Sequence, residues 1–122
     1  MAHLTTTMNA LPRLMLSLAL ALSGQAALAH TGNCHFHGKA IASEATVTHC
    51  ANERVAALLQ AGKLEASWQA VAPASVKLGP GPKGEEWRVV YDNPSASDSA
   101  KRRLFLFFTP QGNFVAANHS GQ

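Results

Sequence analysis

Glu86-Trp87-Arg88-Val89-Val90-Tyr91-Asp92 and Arg103-Leu104-Phe105-Leu106-Phe107-Phe108-Thr109, separated by ten residues, decide the fold of this chain. The first run alternates. Trp87, Val89 and Tyr91 fall on one side and Arg88, Val90 and Asp92 on the other, the period of a half-buried strand. The second carries Leu104 to Phe108 without a polar residue, so both its faces need cover and it reads as a central strand. Pro110-Gln111-Gly112-Asn113 makes a tight hairpin turn, and Phe114 to Asn118 returns alongside. Upstream, Asn93-Pro94 closes the first strand and Ser95 to Lys101 is a polar link. Ser75 to Leu78 is a short candidate strand with an open edge, and Gly79-Pro80-Gly81-Pro82-Lys83-Gly84 is a turn-rich break after it.

Before Pro73 the period changes. Val47, Cys50, Ala51, Val55, Leu58 and Leu59 recur at spacings of three and four, one face of a helix. Ser43 is placed to cap it, Glu44 stands in the first turn where the helix dipole favours an acid, and Gly62-Lys63 supplies the stop. Arg54 interrupts the stripe and must snorkel or find an acid. A further helical turn, Leu64 to Gln69, carries Trp68 inward. The expected fold is α+β: one main helix over about 43–61, packed on three or four antiparallel strands at about 75–78, 86–92, 103–109 and 114–118. Trp87 and Phe107, both mid-strand, are expected beneath the helix stripe.

Residues 1–29 read as an export signal. Arg13 is the one charged side chain before residue 39, and it precedes the apolar run Leu14 to Leu22. Ala27-Leu28-Ala29 places small residues at −3 and −1 of a cleavage site. A run this short cannot cross ~30 Å of hydrocarbon at ~1.5 Å per residue, so it is the core of a signal rather than an anchor. The alternative is a buried N-terminal helix. Met8 would serve equally well as the start. Thr31-Gly32-Asn33 lacks the residues that lipidation of Cys34 would require. Cleavage after Ala29 leaves residues 30–122 as one small periplasmic domain, with no membrane anchor.

Charged residues make up 14% of the chain and the net charge is +3, too little for a disordered charged tail or a nucleic-acid footprint. No phosphate-binding loop, GxSxG elbow or HExxH helix is present, so catalysis is not expected. Cys34 and Cys50 are the two cysteines, with fifteen residues between them. In an oxidising compartment they make a disulfide, closing a loop worth roughly 3 kcal/mol in the chain-entropy model. The rival is a thiolate metal site that uses both cysteines and the histidines around them.

Those histidines carry the chemistry. In Cys34-His35-Phe36-His37-Gly38 the two imidazoles are one residue apart, and an extended backbone points both the same way. A Cys34–Cys50 bond pins this loop against the start of the helix, beside His49. Neutral imidazoles converging there suit Cu(II), Zn(II) or Ni(II). After cleavage His30 would offer its α-amine as well as its ring, a chelate that Cu(II) favours. The candidate metal ligands are therefore His30, His35, His37 and His49, with solvated loop histidines beside a structural disulfide as the plain alternative. His119 follows the last strand with no carboxylate or cysteine beside it and reads as an exposed terminal residue. Core packing accounts for the aromatic residues, with an aromatic ligand groove as the rival. Lys101-Arg102-Arg103 reads as a solvated strand edge.

The runs Cys34-His35-Phe36-His37-Gly38, Gly62-Lys63-Leu64-Glu65-Ala66-Ser67-Trp68, Gly84-Glu85-Glu86-Trp87, Leu104 to Thr109 and Gly112 to Asn118 together resemble a family of small exported proteins of Gram-negative bacteria with no assigned function. The resemblance covers nearly all of residues 30–122. It implies a periplasmic helix-plus-sheet protein with a His-rich N-terminal stretch, and brings no catalytic residues. The order of elements is also similar to that of PepSY-like domains, a likeness of fold alone.

The expected role is a metal-binding accessory protein, copper first and zinc second. The competing expectation is a protein-interaction or inhibitor-like module without metal, which would use the aromatic sheet face or the strand edge at Ser75 to Leu78 against another periplasmic protein. A hydrolase is the outsider, because a Cys–His dyad needs a thiolate that the disulfide removes.

Overall fold

Ser43 opens the main helix, α1, which runs Glu44–Gln60. Its hydroxyl accepts from the Thr46 amide at 3.1 Å, filling one of the vacant donors of the first turn. At the other end Gly62 adopts φ 69°, the Gly62 amide donates to Leu59 O and the Lys63 amide to Leu58 O. This is the Schellman pairing, and it ends the helix where Gly62-Lys63 implied. In the computed structural model, residues 34–122 are described. The export signal expected over 1–29 and His30 fall outside them. Among the described residues no helix is long and apolar enough to cross a membrane.

Four antiparallel strands follow in the order β1-β2-β3-β4: β1 Pro73–Gly81, β2 Gly84–Asp92, β3 Arg103–Phe108 and β4 Phe114–Asn118. The fold is α+β as expected, with β3 between two neighbours. Several boundaries differ, β1 beginning at Pro73 rather than Ser75. The segment expected as a turn-rich break remains paired, with Gly79 opposite Glu86, Pro80 opposite Glu85 and Gly81 opposite Gly84, so that only Pro82-Lys83 reverses the chain. An edge strand bonds on one side alone, and Pro80, lacking an amide hydrogen, is tolerated there. β3 stops one residue before Thr109, whose amide turns to bond Asn113 O at 2.8 Å. The helical turn expected over 64–69 is a 3-10 helix at Ala66–Ala70, and it does bury Trp68.

Val47, Cys50, Ala51 and Val55 of α1 meet Trp87, Val89 and Tyr91 of β2 and Leu104, Leu106 and Phe108 of β3 in one core, closed at the side by Trp68. Register explains the β3 contribution. Trp87 lies opposite Phe108, Val89 opposite Leu106 and Tyr91 opposite Leu104, and residues directly opposite share a face. The same register corrects the expectation for Phe107. It is buried, at 5% exposure, but it sits opposite Arg88 on the sheet face turned away from α1. Among the described residues Arg54 pairs with no acid. Its guanidinium lies 3.9 Å from the centre of the Phe114 ring, a cation–π contact that lets it stay exposed.

Polar side chains, buried and exposed, tie the connections to this frame. Asn93, 2% exposed, donates to Ser67 Oγ at 3.0 Å and accepts from the Ser95 amide at 3.1 Å. Glu65 takes hydrogen bonds from the Ser97 hydroxyl and amide and from the Ser67 hydroxyl; led by the Ser97 hydroxyl, these hold its carboxyl below the usual range. Arg103 pairs with Asp92 across β2 and β3 at 2.8 Å. Tyr91 donates to Asn52 Oδ1 at 2.8 Å, and burial pushes its phenol far above the ordinary value. The neutral phenol therefore contributes stability that is complete below about pH 10, where an unfolded tyrosine ionises, and is lost as the pH rises past that point. Tyr91 is the chain's one tyrosine, so phenolate absorbance reports it alone. In an alkaline titration that absorbance should rise together with loss of circular dichroism. Ionisation near pH ~10 with the fold intact would contradict a buried phenol.

Candidate functional site

Cys34 and Cys50 are joined, with Cα atoms 5.6 Å apart, and no free cysteine is found among the described residues. The bond fastens an extended segment to the first half of α1. Two residues on, the segment is fastened again. The Asn113 side chain accepts from the Phe36 amide at 2.8 Å and donates to the Phe36 carbonyl at 2.9 Å, as a neighbouring strand would. The Phe36 ring packs against the core, and a Cβ at Gly112 would come within 3.1 Å of it. Gly112, at φ 99°, is thus required both by its backbone and by the approach of the ring.

With residues 34 and 36 held inward, 35 and 37 are turned out. His35 and His37 are exposed, and their ring centroids stand 5.4 Å apart at 75°. Two imidazoles bound to one metal through nitrogens at about 2 Å have centroids about 5 Å apart at tetrahedral angles. The pair is close to that spacing on a backbone that other contacts keep in place.

His49 goes elsewhere. One helical turn before Glu53, its Nε2 lies 3.2 Å from Glu53 Oε1. The donor atoms of Cys34, His49 and Glu53 are all within 4.8 Å of one another, the group of three that the described residues bring together, and neither His35 nor His37 belongs to it. Cys34 Sγ is 3.5 Å from Glu53 Oε2, but as a disulfide sulfur it has no proton to donate. Sequence reasoning missed Glu53, although its i, i+4 spacing from His49 was legible on a helix. It missed Asn113 because nothing local marks a contact between residues so far apart in the chain. His119, expected to be a plain terminal residue, faces the Arg103 carbonyl through Nδ1 at 2.8 Å and its ring lies 6.2 Å from that of Trp68.

The face of the sheet away from α1 holds a groove of about 720 Å³. Arg88, Phe107, Pro110, Val115 and Ala116 line it, and Val115 is 56% exposed. Arg88 stands 5.4 Å from the Phe107 ring and 5.5 Å from that of Phe105, and it donates to Gly121 O at 2.8 Å, drawing the C-terminal residues over Phe105. β1, the edge expected to be open, carries Pro73, Pro80 and an exposed Lys77, features that discourage an added strand.

These features define a small α+β protein, held by one disulfide, that displays a histidine pair on a clamped extended segment. The chain belongs to a family of unknown function (DUF6488), which matches residues 8–122. Neither the curated proteins nor the solved structures include a match to it.

Proposed function

We propose that this chain is an exported, periplasmic metal-binding accessory protein that takes Cu(II), or Zn(II) in second place, at His35 and His37. The observation that carries the reading is the spacing of the two exposed imidazoles, 5.4 Å between centroids, on a segment held by the Cys34–Cys50 bond and the Asn113 clamp. A preorganised pair binds more tightly than two free loop histidines, because little conformational freedom remains to be lost. His30, at the N-terminus left by cleavage after Ala29, would add an amine and a third imidazole. His49 engages Glu53 and stands apart from the pair.

Cu(II) titration of protein beginning at His30 tests this. His35→Ala and His37→Ala should each weaken binding at least about tenfold, equivalent to 1.4 kcal/mol. Asn113→Ala should weaken it by a similar factor while leaving every imidazole in place, and His119→Ala should change nothing. An extra residue before His30 should reduce affinity by removing the amine from the chelate. Acidification should release the metal, since protons compete for the imidazole lone pairs. Equal affinities for the wild type and the His35→Ala,His37→Ala double variant would overturn the reading.

A second reading, an interaction module, is favoured by the apolar groove around Phe107 and Val115. A chain whose histidine pair binds no Cu(II) leaves that groove as the functional surface.

A further inference from the structure

We propose that reduction of the Cys34–Cys50 bond converts this end of α1 into a zinc site, in which the two thiolates join His49 Nε2 and a Glu53 carboxylate oxygen. Cys34 Sγ to Glu53 Oε2 is 3.5 Å, and His49 Nε2 to Glu53 Oε1 is 3.2 Å. Ligands about 2.0–2.3 Å from a tetrahedral zinc are separated by roughly 3.3–3.8 Å. The oxidised protein therefore already gathers three of the four donors within 4.8 Å of one another, two of the contacts, each to its own Glu53 oxygen, near the edge lengths of such a site, and Cys50 is bonded to one of the three. Only the two sulfurs have to part. His49, Cys50 and Glu53 come from a single turn of helix and Cys34 from the segment crossing it, so no element has to refold to bring the set together. His49 and Glu53 keep 48% and 32% of their side-chain surface exposed, which leaves the metal a way in.

In the oxidised protein the site is incomplete, because a disulfide sulfur is neither charged nor a strong ligand. The chemistry requires a dithiol reductant. Its thiolate bonds to Cys34 Sγ, the S–S bond breaks with its electron pair on Cys50, and the second thiol closes the reductant's own disulfide and releases Cys34. Two electrons and two protons pass to the protein. On binding, Zn(II) displaces both thiol protons to solvent, so zinc and reducing equivalents favour the same state. The site uses neither His35 nor His37 and stands whether or not that pair binds copper.

The test is anaerobic Zn(II) titration of the whole protein, oxidised and phosphine-reduced, against a chromophoric chelator. The reduced form should bind one Zn(II) at least about a hundredfold more tightly than the oxidised form. Glu53→Gln and His49→Ala should each remove at least about tenfold of that gain, while His35→Ala and His37→Ala leave it intact. Co(II) in place of zinc should give the thiolate charge-transfer band of a tetrahedral centre, and this band should weaken in Glu53→Gln. The Cys34→Ser,Cys50→Ser double variant, which has neither bond nor thiols, should show no gain. Equal zinc affinity in the two redox states would overturn the proposal. So would tight binding that Glu53→Gln and His49→Ala leave unchanged, since two thiols in an opened chain would account for it.

Discussion

Trp87→Ala is expected to lower stability by about 3–5 kcal/mol, the cost of truncating a large aromatic side chain in a core that collapses only partly around the space. Trp87 is 7% exposed and lies between Leu78 of β1 and Phe108 of β3 on the face under α1. Its indole N–H donates to the Pro110 carbonyl at 3.1 Å, and that oxygen also accepts from the Ala42 amide at 2.9 Å. One side chain thus joins the middle of the sheet to the turn that carries Gly112 and Asn113 and to the segment leading into α1. Denaturant unfolding followed by circular dichroism measures the change. A loss below about 1 kcal/mol would mean that β2 turns this face to solvent, contrary to the register.

Opening the Cys34–Cys50 bond, by reduction or by Cys50→Ser, should cost about 3 kcal/mol. In a protein of this size that corresponds to roughly 4–8 °C of melting midpoint for each kcal/mol. Closure restricts the unfolded chain, and in the native state it also presses a half-buried Cys34 onto the buried Cys50. The Asn113 clamp on Phe36 survives the cut, so a melting curve should shift without losing cooperativity. A midpoint indifferent to reductant would show that the native state does not depend on the bridge. Melting without added metal keeps this separate from zinc stabilisation of the reduced form.

The elements themselves were legible because they rest on short-range periodicity. Val47, Cys50, Ala51 and Val55 recur at three and four and are the buried face of α1; Trp87, Val89 and Tyr91 recur at two and are the buried face of β2. Ser43 and Gly62 mark the helix ends because capping is satisfied within one turn. The disulfide followed from there being two cysteines in a chain read as exported.

Tertiary structure decided what periodicity leaves degenerate. Five apolar residues in a row give β3 two equivalent faces, and only pairing with β2 turns Leu106 toward the helix and Phe107 away from it. Gly79-Pro80-Gly81 has the composition of a turn, yet an edge position with a partner strand on one side keeps it extended. The i, i+2 spacing of His35 and His37 told that they share a side, but what holds them there is Asn113, 77 residues from Phe36 in sequence. His49, grouped with that pair for its closeness in sequence, is instead taken by Glu53 within one turn of α1, a local contact that the i, i+4 spacing already offered. Local spacing determines the direction a side chain points from its own backbone. Which group it meets beyond its own turn depends on where a distant segment comes to rest, and in this protein the resting place of Asn113 decides how the exposed His35–His37 pair is held.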